Sequence, residues 1–191
     1  MESQTAVPTS LVDELVGDSI AAVSLVDGLV QDATRALFAT YGVKFDLDGT
    51  QVAKILKSVE FLGMIGFSSH SLSGSLLLAL PLNVLERSLP TPGGSPADWC
   101  GELANQLLGR LKNQLLKYEV VINPSLPVVV SGEGMCLPAS TRQITRYFSF
   151  SSECGKIFVR LEMAISSALE LERQDDRHRE GSIDEGELLL F

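Results

Sequence analysis

The chain has 191 residues, 45% of them hydrophobic and 20% charged, enough apolar material for a packed core in one ordinary domain and too much for a disordered chain. Its 15 Lys and Arg stand against 24 Asp and Glu, a formal net charge of −9. That balance excludes a binder of nucleic-acid phosphates, which needs a cationic face to displace counterions.

Met1-Glu2-Ser3-Gln4 has neither a basic n-region nor an apolar h-region, so no secretory signal is expected. Ser10-Leu11-Val12-Asp13 has capping-box spacing. Apolar positions from Leu11/Val12 through Leu15/Val16, Ile20/Ala21, Val26, Leu29, Val30, Ala33 and Leu37 predict a long helix ending near Gly42, with an interruption expected at Gly17 or Ser24. Residues 1–25 are expected to form a helical extension, set apart from a domain over 26–168. Val43 to Asp48 alternates in character and closes at Gly49, which predicts a short strand or an extended entry. Segments 51–67 and 73–81 read as two strands joined across Ser68–Ser73. The uncharged run from Phe61 to Leu85 is long enough to cross a bilayer. It holds five serines, His70, Pro81 and Asn83, so a hairpin is expected and membrane insertion is not.

A short helix from Asn83 to Ser88 leads into Leu89-Pro90-Thr91-Pro92-Gly93-Gly94-Ser95, the strongest punctuation in the chain. Residues 96–118 predict the best-defined helix. Extended segments follow at 119–131, 142–150 and 155–163, the last two joined by a turn ending at Gly155. The order is helix then strands, twice over. The expected fold is α+β, with two long helices packed on one face of a broad, mostly antiparallel β-sheet. Residues 169–191 are expected to be an acidic, flexible tail: 170–191 carry eight acidic and three basic side chains, then Leu188-Leu189-Leu190-Phe191. Cys100, Cys136 and Cys154 are odd in number and widely spaced, which fits a reducing, cytoplasmic compartment and no metal or disulfide framework.

On a helical wheel, Cys100, Leu103, Ala104, Leu107, Leu108, Leu111 and Leu115 gather into one apolar stripe. Asp98, Glu102, Asn105, Gly109, Lys112 and Asn113 fall on the other side. Asp98, Glu102 and Asn105 stand at i, i+4 and i+7 and project in nearly the same direction. Any amphipathic helix has a solvated polar face, and patterning by itself supports no more than that. Gly109 adds a question, because glycine inside a helix costs ~1 kcal/mol relative to alanine. Either it opens a groove for a visiting backbone or helix, or it allows close packing within the chain.

The run Asp98-Trp99-Cys100-Gly101-Glu102-Leu103-Ala104-Asn105 resembles the signature helix of the CheC/CheX/FliY family of chemotaxis phosphatases. That family has Asp or Ser, three residues, Glu, two residues, Asn, and a proline further on. Pro127 follows Asn105 after 21 intervening residues, one short of the family spacing. Ser125-Leu126-Pro127 and its valine run are similar to the strand beyond. Gly63-Met64-Ile65-Gly66-Phe67 and Gly74-Ser75-Leu76-Leu77-Leu78 are similar to the central hairpin. The sequence holds one E-x-x-N, as CheX-like members do, where CheC-like members usually hold two.

The resemblance implies a phosphatase acting on the aspartyl phosphate of a CheY-like response regulator, commonly as a homodimer. It implies that Asn105 inserts to orient the attacking water and that Glu102 pairs with the receiver's active-site lysine. Asp98 and Gly109 would belong to the docking surface. No cofactor of its own is expected, and Mg²⁺ is expected on the phosphorylated receiver. The alternative is a receiver-docking or scaffold module of the same fold without turnover. His70 in the serine-rich turn and His178 in the tail have no partner at metal-ligand spacing. Gly132-Glu133-Gly134 reads as a turn, and no phosphate-binding loop motif is present. Cys100 reads as core, and Trp99 either packs on a neighbouring loop or rims the docking surface.

Overall fold

The computed structural model describes residues 9–49, 59–135 and 144–166. Helix α1 (Thr9–Thr40) is one unbroken run of 32 residues. The interruption expected at Gly17 or Ser24 is therefore absent, and residues 25 and 26 lie inside the same helix. Val26, Val30, Ala33 and Leu37, all at most 1% exposed, pack one face of α1 into the core, and such packing outweighs the weak propensity of a single Gly or Ser. The helix ends in a Schellman motif. Gly42, at φ +74°, donates its N–H to Ala39 O (3.1 Å) and Val43 donates to Phe38 O (3.0 Å). Tyr41 is left as the capping residue.

Strands β1 (Asp46–Gly49), β2 (Phe61–Ser68) and β3 (Leu72–Leu80) precede the short α2 (Leu82–Ser88). Helix α3 (Pro96–Leu115) runs into one 3₁₀ turn over Leu116–Tyr118. Strands β4 (Asn123–Pro124), β5 (Val128–Ser131), β6 (Ile144–Ser152) and β7 (Gly155–Ile165) complete the described elements. The sheet order is β1-β6-β7-β3-β2-β4, and β5 also pairs with β2. Every pairing is antiparallel. The strand expected over 51–67 begins at Phe61 among the described residues; 51–58, the first two positions (142–143) of the segment expected over 142–150, and the tail from 169 lie outside the described residues. The serine-rich turn is tied by Ser69, whose Oγ accepts from the Ser71 and Leu72 N–H groups at 3.3 and 2.9 Å.

Both long helices lie on one face of the sheet, as the patterning predicts. Ile157, Val159, Leu161 and Met163 on β7 alternate into the core with no exposure. Leu72, Leu76, Leu78 and Leu80 on β3 join them, with Ile65 and Phe67 on β2 and Phe148 and Phe150 on β6. They meet the α1 face and the apolar stripe of α3 in one cluster. The opposite sheet face holds a smaller cluster of Val59, Leu62, Leu77 and Ala79, with Phe158 and Met135 against it. One ion pair pins α1 to the sheet from within. The Arg146 Nε on β6 donates to both Asp27 carboxylate oxygens at 3.0 and 2.8 Å, and Nη2 adds a further bond. Asp27 is buried. Among the described residues, no helix is long and apolar enough to cross a membrane.

Candidate functional site on helix α3

Ser95 caps α3: its Oγ accepts from the Asp98 N–H (3.3 Å), and Pro96 occupies the first turn, where its missing N–H costs nothing. The stripe from Cys100 to Leu115 is buried on the sheet. Burial pushes the Cys100 thiol up to about 12, so it stays protonated at neutral pH and is no nucleophile. Two glycines set how close the helix lies. A Cβ on Gly63 of β2 would sit 2.9 Å from the Cys100 carbonyl oxygen, and one on Gly101 would sit 3.1 Å from a Val129 methyl. Larger residues at either position would lift α3 from β2 or push it from β5.

With the stripe down, Asp98, Glu102 and Asn105 all point outward and are exposed. Together with Pro127 and Val129 of the β5 approach they line a shallow recess of about 340 Å³. The structure thus brings the three motif residues to one place, and Pro127, distant in sequence, beside them. Gly109 lies farther along the same face and does not line the recess. An added Cβ there would meet nothing within 4 Å, so packing within the described chain does not account for this glycine. Trp99 is buried at 8% exposure and does not rim the surface. Its Nε1–H donates to Ser88 Oγ at the end of α2 (3.0 Å), and Tyr41 packs edge-on against it at 5.0 Å.

Four further residues at the site, Thr40, Tyr41, Gln106 and Arg110, had no role assigned from the sequence. The Tyr41 hydroxyl donates to Gln106 Oε1 (2.7 Å), and Gln106 Nε2 donates to Glu102 Oε1 (2.8 Å). One turn on, Arg110 Nη2 donates to Thr40 Oγ1 (3.0 Å). The end of α1 therefore borders the motif face on one side and the β5 approach borders it on the other. The i,i+4 spacing of Glu102 and Gln106 was a legible signal for one of these bonds. Nothing local indicates that Tyr41 arrives there.

A larger cleft of about 570 Å³ lies at the far edge of the sheet, lined by charges of both signs including Lys44, Asp48, Arg87 and Glu153. Asp48 there is committed to the fold: Lys156 sits 2.7 Å from its carboxylate, and Ser151 and Ser149 donate to it. The Lys156 bond first, then those of the serines, hold its carboxyl below the ordinary value of 3.8. Among the described residues, no three His, Cys, Asp or Glu side chains are grouped so as to hold a metal ion.

No family model and no curated protein matches the chain. Solved structures do. CheX from Desulfovibrio desulfuricans superposes with a TM-score of 0.62 at 17% identity, over 74% of this chain and 99% of that one. CheX from Vibrio vulnificus gives 0.62 at 20% identity, over 71% and 96% of the two chains. CheX of Borrelia burgdorferi, solved in complex with CheY, BeF₃ and Mg²⁺, gives 0.56 at 14% identity, over 71% and 96%. At such identities the likeness is one of architecture: the chain has the α+β fold of the CheC/CheX-like chemotaxis proteins.

Proposed function

We propose that the chain is a CheX-like phosphatase that docks on a CheY-like receiver and hydrolyses its aspartyl phosphate. The observation that carries this reading is the exposed Asn105 carboxamide beside Glu102 on an open helix face bordered by Pro127. Support also comes from the fold shared with CheX proteins, one of them solved with CheY. In a phosphorylated receiver, Mg²⁺ and the receiver's own donors already neutralise the phosphoryl oxygens. The missing part is a water held in line with the scissile bond. A neutral carboxamide accepts from and donates to that water without adding charge near the phosphoryl group. Asn105 takes this role. Glu102 fixes the docking register by a charge-assisted hydrogen bond to the receiver lysine, and Asp98 stands at the helix start, on the rim of the contact.

The test is phosphate release from a phosphorylated CheY-like receiver. Asn105→Ala is expected to lower the rate about 100-fold, since holding the reactants in near-attack geometry is most of the work, while circular dichroism and melting temperature stay at wild-type values. Full activity in that variant would remove the assignment. Receiver binding by the wild-type chain without faster dephosphorylation would favour the second reading, a docking module; the shortened spacing from Asn105 to Pro127 is the feature that favours it.

A further inference from the structure

The bonds converging on Glu102 point to a positioning device that the motif does not contain. Tyr41 is fixed three ways. It caps α1 in front of Gly42, its ring stands edge-on to buried Trp99 at 5.0 Å, and its hydroxyl donates to Gln106 Oε1 at 2.7 Å. The hydroxyl could meet either end of the Gln106 amide, and the Glu102 carboxylate, which only accepts, decides which way the amide faces. With Oε1 held by the phenol, Nε2 is turned to Glu102 and donates at 2.8 Å. The reversed amide would set its oxygen against an ionised carboxylate, so the carboxylate selects this orientation and the phenol anchors it. Glu102 Oε1 is thereby occupied from within the chain, and Oε2 has no hydrogen-bond or ion-pair partner among the described residues.

We propose that Tyr41 and Gln106 are positioning residues for Glu102, a hydroxyl–amide relay that holds its carboxylate in one rotamer and leaves Oε2 for a cationic side chain of the docking partner. This rests on the reading of the α3 face as a receiver-docking site. An exposed glutamate samples many rotamers, and fixing one on binding costs affinity. The relay incurs that cost during folding, so the carboxylate meets the receiver lysine already oriented. The anchor caps a different helix from the one that carries the motif, and is 65 residues from Gln106 in sequence, which ties the docking register to the C-terminal end of α1.

The experiment uses the full chain and a CheY-like receiver loaded with beryllofluoride and Mg²⁺ for binding, and the phosphorylated receiver for turnover. Tyr41→Phe keeps the ring on Trp99 and removes only the hydroxyl; Gln106→Met keeps length and removes the amide. Each is expected to weaken receiver binding and raise KM about 3- to 10-fold, the span of one lost hydrogen bond, with kcat within about 2-fold. In a Glu102→Ala background the same changes are expected to have no further effect. Equal losses with and without Glu102 would make Tyr41 and Gln106 merely structural and overturn the proposal, as would no loss in either variant. A wild-type chain that neither binds nor dephosphorylates the receiver marks failure of the docking reading instead. The relay is then judged on the Glu102 side-chain couplings measured by NMR in the free protein. A single rotamer lost in Tyr41→Phe upholds it, and averaging already present in wild type overturns it.

Discussion

Gly109 is the glycine of α3 that no neighbouring atom explains. It sits in the middle of α3, where alanine would be better by about 1 kcal/mol, and an added methyl would meet no atom within 4 Å. Gly63 and Gly101 are explained by neighbours that a Cβ would crowd; Gly109 has no such neighbour among the described residues. Gly109→Ala is therefore expected to raise the melting temperature by roughly 2–4 °C, the shift that about 1 kcal/mol gives in a domain of this size. If a partner's backbone uses the gap, the same variant lowers affinity for a beryllofluoride-loaded receiver. A thermal melt and a binding isotherm on one preparation check both halves. A stabilised variant with unchanged affinity would take Gly109 out of the docking surface.

Among the elements, β1 shows how a strand of four residues survives at the edge of the sheet. Asp48 joins it to β6 through Ser149 and Ser151 and to β7 through Lys156. Its carboxyl titrates below the ordinary 3.8, so its contribution is complete above that value and is lost as pH falls through the lowered one. An NMR titration of the Asp48 carboxyl is expected to give a midpoint under 3.8, with β1 amide shifts following it. Asp48→Asn is expected to abolish that acid-side movement, and a midpoint at or above the ordinary value would show that the clamp is absent.

The elements also differ in how far their sequence announced them. The period of α3 is clean, and its polar face, with Asp98, Glu102 and Asn105 projecting together, follows from spacing. The turn at Ser68–Ser73 and the β6–β7 hairpin were equally plain. The extended segment over 119–131 divides into β4 and β5, because Pro127 has no N–H to give the ladder. Pairing with β2 runs as far as the Ser125 N–H to Gly66 O at 2.8 Å, the chain steps out there, and it rejoins β2 at Val128, opposite Met64. The continuity of α1 was not legible, since Gly17 and Ser24 weaken local propensity while the decisive packing is tertiary. For the same reason the motif residues could be named from the sequence and the Tyr41–Gln106 link could not: only the packing of α1 across α3 creates it.

Helix α1 is the member that relates the sheet to the candidate site. Its middle is pinned to β6 by Asp27 and Arg146, and its last turn borders Gln106 and Arg110 on α3. The Asp27 side chain is 10% exposed and that of Arg146 36% exposed. Removing one partner of a fully buried pair costs about 3–5 kcal/mol because it strands a charge. Arg146 reaches solvent and can rehydrate, so Asp27→Ala is expected to cost less, about 2–3 kcal/mol. Tyr41 lies 14 residues further along the helix, about 21 Å from Asp27 at 1.5 Å per residue, and keeps its own cap, its contact with Trp99 and its bond to Gln106. The loss should therefore appear in urea unfolding at pH 7 and not in receiver dephosphorylation measured well below the transition. If turnover falls in step with stability while the native fold persists, then the seating of α1 on the sheet controls the geometry at Glu102 and Asn105, and the pin and the site form one mechanical unit.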